Sequence, residues 1–89
     1  MKLQVTIYAR RNCHLCESAL EVAIEARQKI SFELEIIYID EDKQLQMQYG
    51  EEVPVTLIQG KRHDYFTLES KRFVQALESA AKSEEKRNL

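Results

Sequence analysis

Two cysteines stand where the chain changes its hydrophobic period. Leu3, Val5 and Ile7 alternate with Lys2, Gln4 and Thr6, which is the two-residue repeat of a strand over residues 3–9. After the polar Arg10-Arg11-Asn12, residues Cys13 to Lys29 contain neither Gly nor Pro and follow a helical repeat. Cys16, Leu20, Ala23 and Ile24 fall on one stripe, and Ala19, Val22 and Ala26 widen it. Asn12 is a good helix cap. The chain must therefore pass from a strand into a helix within a few residues, and Cys13-His14-Leu15-Cys16 opens that helix.

The remaining segments extend the pattern. Residues 32–39 are rich in strand formers, and their first half alternates apolar residues with Glu33 and Glu35, as in an edge strand with a charged outer face. Asp40-Glu41-Asp42 ends that strand and can cap a short helix over 43–49, closed by Gly50. Val53-Pro54 opens a strand from Val55 to Gln59, Gly60-Lys61-Arg62 is a turn, and His63 to Phe66 is a return strand. The last helix starts near Thr67–Glu69 and buries Phe73, Ala76, Leu77, Ala80 and Ala81. The order is β-α-β-α-β-β-α: an α/β domain over residues 1–82, with a four-stranded mixed sheet flanked by helices. A charged tail over 83–89 is expected to fray.

Composition narrows the function classes. A chain of 89 residues holds one core. A net charge of −2 gives no basic excess for nucleic acid. No apolar run approaches the roughly 20 residues of a membrane helix. No apolar leader precedes the first strand, so a cytoplasmic setting is expected. A monomer is expected too. The two cysteines are only three apart, and a bond closing so short a loop stabilises little by chain entropy. In a reducing compartment such a pair is more often redox-active or metal-binding than structural.

The spacing suits disulfide exchange, in which a thiolate is the nucleophile. Positions i and i+3 face the same way on a first helical turn, so the two sulfurs can reach bonding distance. Cys13 lies at the helix start, where free N–H groups favour negative charge, and Arg10, Arg11 and His14 accompany it. Cys13 is the candidate attacking thiol, and Cys16, on the apolar stripe, the candidate resolving thiol. Two alternatives stand beside this. The cysteines can simply be core residues. They can also be half a zinc site, for which His14 and His63 are the only histidines, unless two copies share the metal. Pro54, the only proline, can be a trans strand-start residue or a cis one that turns Val53 toward the cysteines.

Taken together, Tyr8 to Cys16 after the first strand, Val53-Pro54 before the third, and the closing hairpin and helix resemble a glutaredoxin. The resemblance runs from about Leu3 to Ala81 and is closest to the small glutaredoxin-like proteins with a Cys-x-Leu-Cys motif. It implies a thioredoxin-like fold of the glutaredoxin type and a thiol–disulfide oxidoreductase. Cys13 and Cys16 match the catalytic pair. Arg10 matches a basic residue that supports the thiolate and receives a glutathione carboxylate. Pro54 matches the cis proline, and the Val53 backbone would pair with a bound peptide or glutathione. The implied substrate is a disulfide-containing protein or a low-molecular-weight thiol compound. No metal or organic cofactor is implied, and glutathione or a reductase would restore the thiols. His14-Leu15 stands where the family usually has Pro-Tyr, and His14 would stabilise the reduced form. Asp64-Tyr65 stands where the family has Gly-Gly, and an acid and a bulky ring there alter the glutathione subsite. Thr67 stands near an acidic residue of the family and is read as a helix cap. The rival reading is a non-catalytic module that docks a partner along the Val53 edge.

Overall fold

The computed structural model describes residues 3–87, with side chains as far as Ser83. Its elements are β1 (Leu3–Ala9), α1 (His14–Arg27), β2 (Phe32–Tyr38), α2 (Lys43–Tyr49), β3 (Val55–Ile58), β4 (Lys61–Tyr65) and α3 (Ser70–Arg87). The sheet order is β2-β1-β3-β4. β1 runs parallel to β2 through α1 and antiparallel to β3, and β3 and β4 form a hairpin. The expected β-α-β-α-β-β-α order with a mixed four-stranded sheet is the one observed.

The alternation along β1 divides the molecule. Leu3, Val5, Ile7 and Ala9 are all buried. The first three pack with Ala19, Ala23 and Ala26 of α1 and with Phe73 and Leu77 of α3. The alanines let α1 lie close to the sheet, and Phe73 meets the edge of Phe32 at 5.9 Å between ring centroids. On the opposite face Tyr8 stacks on Tyr49 of α2, with centroids 4.2 Å apart. Burial, followed by the neighbouring Tyr49, raises the Tyr8 pKa above 10.0. β2 forms one edge of the sheet, with Glu33 and Glu35 exposed, as its charged alternation requires.

Several boundaries differ from the sequence expectations. β2 stops at Tyr38 and β3 at Ile58. The hairpin turn is tighter than expected, because Gln59 (φ 54°) and Gly60 (φ 78°) both take left-handed backbone. β4 therefore begins at Lys61, and Phe66 lies beyond it. Ile24, expected on the buried stripe of α1, is half exposed; the three alanines fill that interface instead. Thr67 does not cap α3, since the Glu69 carboxylate accepts the Lys71 and Arg72 amides at 3.3 and 2.8 Å. Those bonds hold the Glu69 pKa below its ordinary value. The helical backbone continues through most of the charged tail, to Arg87.

Candidate active site

Cys13, not Asn12, caps α1. Asn12 adopts φ 56°, a left-handed conformation that Asn tolerates better than most residues, and so cannot be the extended capping residue. Cys13 is extended (φ −120°, ψ 111°), and its Sγ accepts the Cys16 N–H at 3.2 Å. Its carbonyl accepts the Glu17 N–H at 3.0 Å, closing the first turn. A sulfur here carries negative charge more readily, because a helix N-terminal amide points at it. The sulfurs of Cys13 and Cys16 lie at disulfide distance, with their Cα atoms 5.2 Å apart. Cys13 is half-buried, whereas Cys16 retains 5 % of its surface. The outer and inner sulfurs are thus placed as their order along the helix implied.

The flanking residues take different directions. The His14 side chain is fully exposed, with Nδ1 3.9 Å from a Glu17 carboxylate oxygen. Arg10 is half-buried, and its Nε donates to the Gly50 carbonyl at 3.2 Å. A Cβ at Gly50 would meet the Gln46 backbone carbonyl oxygen first and Arg10 Nη2 next at 2.8 Å, so the Gln46 backbone, more than the guanidinium, leaves no room for a side chain there. The Arg11 amide donates to both Asp40 carboxylate oxygens at 3.3 and 3.2 Å, and its guanidinium lies 5.1 Å above the Tyr38 ring.

The Val53–Pro54 peptide bond is cis. Tyr8 pairs with Val55, so Val53 and Pro54 lie at the end of the sheet where β1 leads to Cys13. Tyr65 pairs with Val55 on the other side and meets Phe66 at 5.0 Å between centroids. Asp64 lies 3.3 Å from Arg72 of α3. The positions matched to the family's Gly-Gly therefore hold an ion-paired acid and a half-exposed ring.

A cleft of about 230 Å³ adjoins Cys16. Ile7, Ala9, Leu20 and Ile36 supply its apolar lining, Cys16 forms part of the wall, and Arg10, Arg11 and Tyr38 stand around it. Sequence reasoning missed this cleft. Its only local signal is Tyr38, an aromatic residue at the polar end of an apolar run, which is 45 % exposed. Among the described residues no group of three or more His, Cys, Asp and Glu side chains could hold a metal ion. His63 is half-buried, 5.8 Å from the Phe73 ring, and its Nε2 has no hydrogen-bond partner. Burial lowers its pKa, with Asp64 opposing and Arg72 adding to the shift.

The model of the glutaredoxin-like domain (DUF836) matches residues 4–78. The chain belongs to the glutaredoxin-like domain family. A search of curated proteins finds no match. Among solved structures, the structural-genomics target XcR50 from X. campestris is 32 % identical; the match covers 84 % of this chain and 96 % of that one, with a TM-score of 0.73. Protein Ne2328 from Nitrosomonas europaea is 30 % identical over 86 % of this chain and 93 % of that one, with a TM-score of 0.75. A mutant thioredoxin from Halobacterium salinarum is 17 % identical over 88 % and 74 %, with a TM-score of 0.66, and shares the fold. This glutaredoxin-like domain thus has the thioredoxin-like architecture, and its cysteine pair sits at the start of the first helix. Among the described residues no helix is long and apolar enough to cross a membrane.

Proposed function

We propose that this glutaredoxin-like domain is a thiol–disulfide oxidoreductase. The observation that carries the reading is the Cys13 sulfur in the capping position of α1, on the Cys16 amide at 3.2 Å, with the Cys16 sulfur within bonding reach. The Cys13 thiolate attacks one sulfur of a substrate disulfide, and the other sulfur leaves as a thiolate that takes up a proton. Cys16 loses its proton and attacks Cys13 in the mixed disulfide, releasing the second substrate thiol. Two electrons pass to the substrate, and Cys13–Cys16 becomes the disulfide. A second thiol compound, glutathione or a protein dithiol, reverses that bond. The exchange needs no metal or organic cofactor, and the domain works as a monomer in a reducing cytoplasm.

Arg10 supports the anionic state of the site from the side of Gly50, and the backbone at Val53, just ahead of β3, would pair with an extended substrate. His14, turned to solvent beside Glu17, is placed to meet the substrate rather than to fix the thiol. Glutathione is the weaker substrate in this reading, because Asp64 and Tyr65 occupy the positions where relatives leave backbone open.

The test is a titration across glutathione redox buffers, followed by acid quench, alkylation and mass measurement. The expected result is a reversible loss of two hydrogens, assigned to Cys13–Cys16, with little glutathione adduct. A lasting adduct on Cys13 would instead give the domain a glutathione-dependent role. Thiols alkylated unchanged across the whole range, with no activity on insulin disulfides, would leave the non-catalytic docking module as the better reading.

A further inference from the structure

Resting on the exchange reading, we infer that Arg62 and Glu52 are positioning residues for polypeptide disulfides: their ion pair aims the Val53 backbone at an extended substrate. Glu52 directly precedes Val53 in the segment that joins α2 to β3. Its N–H donates to the Tyr49 carbonyl at 2.8 Å, and its carbonyl accepts the Phe66 N–H at 3.0 Å. The Glu52 carbonyl and the Val53 N–H belong to one planar peptide unit and point opposite ways. A carbonyl turned to Phe66, just beyond β4, therefore turns the Val53 N–H away from β4. The ties of the segment stop there: among the described residues, no hydrogen bond found uses the Val53 amide or carbonyl. Those two groups are unclaimed within the chain, and the residue ahead of them sets their direction.

One backbone bond to β4 would let that peptide unit swing, and the bond comes from Phe66, whose φ of 65° is uncommon for a bulky residue. The side chains supply the second tie. Arg62 Nη1, on β4, donates to the Glu52 carboxylate at 2.9 Å. The guanidinium carbon lies 5.8 Å from the Tyr49 ring centroid and 5.9 Å from that of Tyr65, within cation–π range of both. Tyr49 is buried and stacks on Tyr8 of β1, so the pair is braced against both α2 and the sheet. Both partners of the pair stay partly exposed, and such a pair alone adds little stability. Wedged against two rings, it supplies direction instead: the planar guanidinium is held in one orientation, and Glu52 with it.

The experiment follows oxidation of the reduced protein by two disulfides. One is a synthetic peptide closed by an internal disulfide; the other is bis(2-hydroxyethyl) disulfide, which has no amide backbone to pair with Val53. Acid quench, alkylation and mass measurement give a second-order rate constant for each. The readout is the ratio of peptide to small disulfide, because it cancels any general change in thiol reactivity. Arg62→Leu and Glu52→Ala should each lower the ratio about fivefold. The double variant should fall no more than about twofold below the lower single one, because the two residues act as a unit. Arg62→Lys keeps the ion pair and should bring the ratio back to within about twofold of wild type. A ratio that either Arg62→Leu or Glu52→Ala leaves within about twofold of wild type, or losses that multiply in the double variant, overturn the inference and leave exchange intact. Oxidation of Cys13 and Cys16 by neither disulfide overturns the exchange reading and the inference together.

Discussion

Helices α1 and α2 begin with nearly the same backbone and different chemistry. Cys13 has φ −120° and ψ 111°, and Asp42 has φ −118° and ψ 105°. Each side chain accepts the amide three residues on, Cys16 at 3.2 Å and Leu45 at 3.0 Å. At α2 the acceptor is a carboxylate, whose role is to satisfy a helix amide. At α1 it is a sulfur, a weaker acceptor as a neutral thiol and a good one as a thiolate. The same local geometry stabilises the helix at one site and, on the proposed exchange reading, holds a reactive sulfur at the other.

Substitutions can break this comparison, and the largest effect should come first. Cys13→Ser keeps a capping oxygen but removes the nucleophile, so insulin reduction should fall by roughly 10³-fold or more while the fold persists. Asp42→Ala should do the reverse: activity within about twofold of wild type and a stability loss of about 1 kcal/mol in urea unfolding. Cys13→Asp gives α1 the cap that α2 has. It should abolish exchange yet raise the stability of the protein by about 0.5–1 kcal/mol relative to the dithiol form.

The smallest effect is one of pH and lies away from both caps. Burial lowers the His63 pKa below 6.5 in the folded protein. Below about pH 6.5 the unfolded chain binds the proton first, so stability declines as pH falls, until the lower folded-state value is passed. Above that range the contribution is fully present. His63→Leu should reduce the drop in thermal midpoint between about pH 7.5 and 5.5. Glu69 acts lower on the scale: its depressed pKa stabilises the fold above 4.5 and is lost as pH falls through the folded-state value.

Most of the fold is legible in the sequence because its signals are local. The period change at Cys13, the alternation in β1 and the Asp42–Gly50 bracket around α2 each mark an element by themselves. The errors fall where a backbone conformation, not a composition, decides the boundary. Asn12 and Cys13 are both polar enough to cap, and only the left-handed φ of Asn12 excludes it. Gln59 is an unusual residue for a left-handed turn, so the sequence pattern puts the hairpin turn one step too late. At the site, the cysteine pair is legible from spacing alone. The cleft is not, because Ile36 and Tyr38 reach it only through the parallel pairing of Ile7 with Ile36 and Ala9 with Tyr38. The orphaned His63 Nε2 is equally hidden, since it depends on Phe73 of a different element.

The pH dependence of Cys13 alkylation, followed by mass in the Cys16→Ser protein, tests the central claim most directly. The capped sulfur predicts a rate that reaches half its maximum at about pH 7 or below. A midpoint near the free-cysteine value of about 8.5 would contradict it, leaving Cys13 a helix cap like Asp42 and nothing more.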